Sequence, residues 1–432
     1  MTPAARLAAT IEILEAINTT TRPADMVLAE FTKGRRWIGA KDRRALAENI
    51  WRVLRRRARL GWWLEHVQHP DRDARAFVLA DLALETKDIP DDLFQGAHAA
   101  TPPDAIDRRL IDILSGGSLF HHAMPAWAKG EYPPWMEPHL SALFGDRLAA
   151  EMGAMRDEAP LDLRVNTLKA DRPKVLAALS KLGIDAKPTP LSPIGVRLAK
   201  RLALTELGPW RDGWVEVQDE GSQLVALITD AQPGQAVADY CAGAGGKTLA
   251  LAACMENKGR LMALDVAEWR IDRAAARLKR AGVHNVVRRT LSSESDKWVK
   301  RSAGSFDRVL VDAPCTGTGT WRRNPDAKWS LSEQDIAELC VRQGAILASA
   351  ARLVKPGGRL IYATCSLLPE ENESQVEAFL ASHPDYIVLP VGDIWPTSWG
   401  VACPVAGPYL RLSPLQHGTD GFFAAVLVRK SP

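Results

Sequence analysis

From about Gly221 onward the chain repeats one unit: a short, nearly continuous apolar run, then a longer stretch whose apolar residues recur every three or four positions. The runs are Ala236-Val237-Ala238-Asp239, Arg260 to Asp265, Val309-Leu310-Val311-Asp312 and Arg359 to Thr364. A strand that is apolar on both faces must be covered on both faces, which is the condition of a parallel sheet between helices. Helices are legible in the gaps, at Glu268 to Ala281 closed by Gly282 and at Ile336 to Leu353 ahead of Lys355-Pro356-Gly357-Gly358. The pattern predicts a doubly wound α/β domain, which binds its ligands beyond the carboxyl ends of the strands.

The preceding chain reads differently. Residues 1–140 place Ala8, Ile11, Leu14 and Ile17 at helical spacing without β-branched alternation, so an all-helical domain is expected. Thr20-Thr21-Arg22-Pro23 ends its first helix. A long helix is predicted from Asp42 to His66, with Leu46, Ile50, Val53 and Leu54 on one side. Arg55, Arg56 and Arg57 spread around that helix, so some of them must reach solvent or a ligand. Pro125, Pro133, Pro134 and Pro138 mark a boundary region. Residues 141–212 read as a small α+β domain, with a strand at Leu161 to Asn166, a helix from Arg172 to Leu182 closed by Gly183, and a short apolar stretch at Gly195 to Leu198. Residues 213–432, opening on the apolar stretch Trp214 to Val217, then carry the α/β domain.

No stretch approaches the roughly 18 consecutive apolar residues of a membrane span, and Met1 to Thr10 lacks the apolar core of a secretory signal, so a cytoplasmic protein without a membrane partner is expected. The six cysteines lie at least thirteen positions apart, which leaves neither a metal knuckle nor a disulfide framework, and no metal is expected. Net charge is only +3, yet eleven Lys and Arg against two acidic residues between Lys33 and Arg59 put +9 there and leave −6 for the remainder. Such a segment suggests a polyanionic partner. Nothing in the pattern demands a second chain, and a monomer is expected.

The unusual residues fall at strand ends. The first strand of the sheet runs into Cys241-Ala242-Gly243-Ala244-Gly245-Gly246-Lys247-Thr248, where glycines let backbone approach a ligand ahead of a helix N-terminus. The next strand ends in Asp265, a carboxylate suited to ribose hydroxyls. Gly246-Lys247-Thr248 imitates a Walker phosphate loop, and Val309 to Asp312 imitates a magnesium-holding strand, which makes a P-loop-like ATPase the alternative; the Walker pattern, however, requires glycine where Cys241 stands. A nucleoside held by its ribose beside a short glycine loop fits S-adenosylmethionine better. Further strands deliver Asp312-Ala313-Pro314-Cys315-Thr316-Gly317-Thr318-Gly319 and Ala363-Thr364-Cys365-Ser366. Buried cysteines are commonly inert, but two at neighbouring strand ends point to chemistry. Cys365 also precedes a helix predicted from Glu370 to Leu380, whose N-terminal field favours thiolate.

Methyl transfer to carbon 5 of a pyrimidine needs such a set. That carbon is too weak a nucleophile to attack a sulfonium methyl until a thiolate adds at carbon 6 and turns the ring into an enamine. Asp312 is placed to support the charge change near ring N3 and the exocyclic amine, and Cys315 is the candidate for assisting proton loss and release. The target base must be unstacked, so an RNA loop or helix end suits the site better than intact duplex. Beside such a domain, the basic segment points to RNA phosphates, with Trp37 and Trp51 available for packing or stacking and Arg322 and Arg323 for the flanking backbone.

These motifs, together with Arg322-Arg323-Asn324-Pro325-Asp326 and Asp420-Gly421-Phe422-Phe423, resemble the Sun/Fmu group of RNA cytosine-5 methyltransferases. The resemblance spans nearly the whole chain: Arg164-Val165-Asn166 looks like the motif of the family's small domain, and residues 1–140 look like its NusB-like N-terminal domain. It implies a Rossmann-like methyltransferase domain acting on RNA, chiefly ribosomal RNA of the small subunit. It also implies Cys365 as nucleophile, Cys315 as the residue assisting release, and cofactor or base contacts from Cys241, Ala242, Gly243, Ala244, Gly245, Gly246, Lys247, Asp265 and Asp312, with Arg270 a further candidate. DNA cytosine methyltransferases use the Pro-Cys residue as nucleophile, which would reverse the two roles; the rest of the chain favours RNA. Two departures stand out. Leu291 occupies the place of an acidic residue that binds the adenine amine, leaving that contact to backbone or Ser292, and Gly243-Ala244 replaces the more common Ala-Pro. A noncatalytic RNA-binding assembly factor retaining the fold is the reading from another class.

Overall fold

A computed structural model describes residues 1–35 and 37–431. Arg36, one of the basic-segment residues, lies outside them. The chain forms two compact units, one of Met1–Asp157 with Trp321–Leu331 and one of Glu158–Thr320 with Ser332–Pro432.

The first unit is helical. Its opening helices are Pro3–Asn18, Ala24–Gly34, Ala40–Arg55, Arg57–His66 and Ala74–Glu85. Leu46, Ile50, Val53 and Leu54 are buried in its core. The single helix expected from Asp42 to His66 is instead two, broken at Arg56. The cause is remote in sequence. The fully buried carboxylate of Glu131 accepts the Ala58 and Arg59 backbone N–H groups at 2.9 and 3.2 Å and the Arg59 Nε at 2.7 Å, so a second helix N-terminus is capped where the apolar pattern runs on uninterrupted.

The basic run is largely turned inward. Arg52 and Arg56 share the buried Asp81 carboxylate at 2.7 and 2.8 Å, Arg56 also meets Glu85, Arg57 donates to Asn18 and Arg55 to the Arg322 carbonyl. Lys33, Lys41, Arg43 and Arg44 are exposed, as is Trp37, whereas Trp51 packs against the core. Arg322 is buried in this same unit.

The second unit begins with four antiparallel strands, β1 Leu161–Val165, β2 Ala186–Pro188, β3 Gly195–Leu198 and β4 Val215–Val217, in the order β2-β3-β1-β4. The helix Arg172–Lys181 covers them and ends at Gly183, whose φ of +71° suits glycine. The larger sheet follows, built from β5 Ala236–Asp239, β6 Arg260–Asp265, β7 Val286–Thr290, β8 Phe306–Asp312, β9 Val354–Thr364, β10 Tyr386–Leu389, β11 Leu410–Leu412 and β12 Phe422–Arg429.

Its order is β10-β12-β9-β8-β5-β6-β7, with β11 alongside β12. The five strands β7 to β9 of that order pair in parallel, as the apolar runs require, and β12 and then β10 extend the sheet antiparallel beyond β9. Alternation along β8 shows the layering. Val309 and Val311 belong to the core that contains Leu347 and Ala350 of the helix Glu333–Ala351, whereas Leu310 faces Leu251 and Ala252 of the helix Gly246–Cys254. Among the described residues, no helix is long and apolar enough to cross a membrane.

Candidate active site

The site lies where β5, β6, β8 and β9 end. After β5 the chain turns through Gly243 and Gly245, both in the left-handed region at φ +53° and +81°, into the helix Gly246–Cys254. Gly245 is required for space as well, since a Cβ there would come within 2.9 Å of the Ala274 Cβ. Asp265, at the end of β6 and nearly buried, fastens this turn: its Oδ2 accepts the Gly243 N–H at 2.9 Å and its Oδ1 the Ala267 N–H at 2.8 Å. Each oxygen keeps a second lone pair, so the carboxylate is held rigidly and still has capacity to accept from a pair of hydroxyls.

Behind the turn stands the small domain. Arg164, buried on β1, donates to the Gly246 carbonyl at 2.7 Å and to Gln218. Asn166 donates to the carbonyls of Gly213 and Ala281 at 2.8 and 2.9 Å, fixing the end of the helix Glu268–Ala281. Arg277 from that helix reaches the Ala244 carbonyl at 2.7 Å while Glu216 of β4 holds its other nitrogen at 3.0 Å. The Arg164-Val165-Asn166 motif therefore acts as a brace for the glycine turn, a role its sequence alone does not reveal.

Lys247, one residue into the helix, donates to Asp312 Oδ2 at 2.6 Å and lies 5.3 Å from the Phe422 ring. Its ammonium is thus committed to the carboxylate at the end of β8, and is not left to a phosphate as the Walker-like reading needs. Beneath it, Thr248 donates to the buried Asp239 at 2.6 Å; burial pushes the Asp239 carboxyl up to about 7.

The two cysteines meet. Cys315 after β8 and Cys365 after β9 bring their sulfurs to 3.4 Å. The hydrogen bond with Cys365, then burial, then the Cys365 and Glu371 charges raise the Cys315 thiol well above the ordinary cysteine range. The loops are locked to their neighbours: Gly421 N–H donates to the Gly319 carbonyl at 2.8 Å, and a Cβ on Gly319 would sit 2.1 Å from the Gly421 oxygen. That close approach explains a glycine in each of two motifs separated by a hundred residues of sequence.

Cys241 lies against the core, and burial raises its thiol well above the ordinary cysteine range. Arg270 is exposed on the helix Glu268–Ala281, its guanidinium over the Trp269 ring. The helix after Cys365 starts at Glu373, not Glu370; Pro369–Glu371 form a single tight turn before it. At Leu291 the side chain is core, and Ser292 donates through N–H and hydroxyl to Asp296, whose carboxyl is held down to about 2 by the Ser292 and Trp298 backbone N–H groups and the Ser292 hydroxyl.

Residues 226–428 match the family described as 16S rRNA methyltransferase RsmB/F, and residues 132–205 match the ferredoxin-like domain of RsmF/B-like methyltransferases. Ribosomal RNA small subunit methyltransferase B of Sodalis glossinidius is 37% identical over 300 residues, 69% of this chain and 66% of that protein. Its namesake in Yersinia pseudotuberculosis is 34% identical over 425 residues, 94% of each chain. Among solved structures, PH0851 aligns with a TM-score of 0.78 at 26% identity over 99% of each chain. The glycine turn, the braced Asp265 carboxylate and the helix N-terminus behind it fit a nucleoside cofactor, S-adenosylmethionine. The chain belongs to the 16S rRNA methyltransferase RsmB/F family, whose methyl donor is S-adenosylmethionine.

Proposed function

We propose that this protein methylates carbon 5 of a cytosine in small-subunit ribosomal RNA, through a transient bond between Cys365 and carbon 6 of the base. The observation that carries the reading is the pair of thiols 3.4 Å apart at the ends of β8 and β9, with Asp312 at the head of the same loop. S-adenosylmethionine, when bound, supplies an electrophilic methyl group. The protein's own residues supply the rest. Cys365 adds to carbon 6 as its thiolate, and the electron pair of the ring double bond moves toward carbon 5. Asp312, anchored by Lys247, supports the charge change at ring N3 and the exocyclic amine. After transfer the proton on carbon 5 passes to solvent, its bonding pair restores the double bond, and the Cys365 thiolate leaves. Cys315, kept as a thiol, donates to that sulfur as it departs.

RNA is held in this reading by the exposed part of the basic segment, Lys33, Lys41, Arg43 and Arg44, with Trp37 offering a face to an unpaired base. Incubation with methyl-labelled S-adenosylmethionine and undermodified small-subunit RNA is the test. Label recovered as 5-methylcytosine is expected; its absence, or recovery on another atom, would remove the proposal.

A further inference from the structure

Behind the two cysteines lies a carboxylate outside the cysteine motifs. Glu371 is fully buried. Its Oε1 accepts the Thr316 backbone N–H and the Gln343 Nε2, both at 2.9 Å; its Oε2 accepts the Thr316 hydroxyl at 2.5 Å and the Ser366 hydroxyl. Thr316 follows Cys315 in the chain and Ser366 follows Cys365. Gln343, also fully buried, reaches past Glu371 to the Pro314 carbonyl at 2.9 Å, on the other side of Cys315. The backbone of Glu371 is itself tied to the sheet, because the Tyr362 hydroxyl donates to its carbonyl at 2.6 Å. One side chain thus binds both cysteine loops at the residue next to each sulfur.

A buried carboxylate with four donors is costly to assemble and costly to disrupt, and it sets geometry more than net stability. We infer that Glu371 is a positioning residue for methyl transfer, holding Cys315 and Cys365 at their mutual distance and orientation through Thr316, Gln343 and Ser366 rather than touching substrate. Its negative charge also counts among the influences that raise the Cys315 thiol, after the Cys365 hydrogen bond and burial, so it helps keep one sulfur protonated beside the other.

The inference rests on the proposed roles of the two cysteines, and its test includes a measurement that does not. In the resting protein, diamide is expected to convert the two thiols, 3.4 Å apart, to a disulfide, the thiols losing two protons and two electrons to the reagent; the rate reports how often the sulfurs reach bonding distance. Glu371→Gln preserves shape, since its amide can donate to the Thr316 and Ser366 hydroxyls while its oxygen still accepts from Thr316 N–H and Gln343. Glu371→Ala removes every leg. Expected for Glu371→Ala is a cross-linking rate changed several-fold and, on RNA, a kcat roughly 10- to 100-fold lower with KM nearly unchanged, because small misplacements of reacting groups cost that much. Glu371→Gln should recover most of both. A well-folded Glu371→Ala protein with wild-type cross-linking and wild-type kcat overturns the inference. Should neither Glu371 variant fold, Ser366→Ala, which removes one leg, decides it by the cross-linking rate alone: altered supports, unchanged overturns. Should wild-type protein show no transfer to cytosine, the functional reading fails while cross-linking still judges Glu371.

Discussion

At the residue scale the two cysteines make separable predictions. Cys365→Ala should abolish transfer, because without addition at carbon 6 the ring carbon stays too weak a nucleophile. Cys315→Ala should allow addition and transfer but slow release, so that a protein–RNA species resistant to denaturation accumulates on a gel. The opposite pattern would exchange the two roles. These residues were legible because their identities are local: Pro-Cys and Thr-Cys each sit at the end of a readable apolar strand, and the parallel order of β8 and β9 then brings two such ends side by side. Glu371 was not legible. In Pro369-Glu370-Glu371-Asn372-Glu373 three glutamates look alike, and which of them is buried depends on Thr316, Gln343 and Ser366, none of them near in sequence except the last.

At the element scale the strands of the larger sheet were legible for the same reason that they are buried: β5 and β6 carry the bounds their apolar runs suggest, since no solvent face interrupts them. The break between the helices Ala40–Arg55 and Arg57–His66 was not, because its cause is Glu131. Two predictions belong here. Arg164→Ala removes a buried charged donor from the Gly246 carbonyl, a loss on the order of 1.5–3 kcal/mol, so affinity for S-adenosylmethionine should fall about tenfold or more by titration calorimetry while the fold persists. An unchanged affinity would show that the glycine turn holds itself. The second concerns Asp239 in β5. Its folded pKa of about 7 lies above the roughly 4 of an unfolded aspartate, so the folded protein keeps a proton that the unfolded chain releases. That contribution is complete below about pH 4 and is lost as pH rises through 7, an effect on the order of 4 kcal/mol. Asp239→Asn keeps an oxygen for Thr248 and does not titrate, so its melting temperature should decline less between pH 5 and pH 8 than that of the wild type.

At the scale of the whole molecule the net charge of +3 conceals two populations of basic residues in one segment. The arginines from Arg52 to Arg59 are largely engaged by Asp81, Glu85, Glu131, Asn18 and the Arg322 carbonyl, while Lys33, Lys41, Arg43 and Arg44 stay exposed. Charge counting could not separate them, since the partners come from elsewhere in the chain. The same holds for Trp321–Leu331, which follows the cysteine loop in sequence yet belongs to the helical unit, with Trp321 and Lys328 buried there. Its clearest mark is a helix start. The helix Ala24–Gly34 follows Pro23, which has no side-chain oxygen with which to cap it, and the Ala24 N–H is accepted at 3.0 Å by the carboxylate of Asp326, 302 residues later. Asp326→Ala should therefore cost about 1 kcal/mol, the usual worth of an N-cap. Hydrogen exchange at the first turn of Ala24–Gly34 should quicken by about fivefold if the turn frays on its own, with the rest of the unit little affected. Acceleration spread evenly over all helices of the unit would instead mean that this cap is coupled to global unfolding, and no acceleration at Ala24 would mean that the long-range cap adds nothing to the helix.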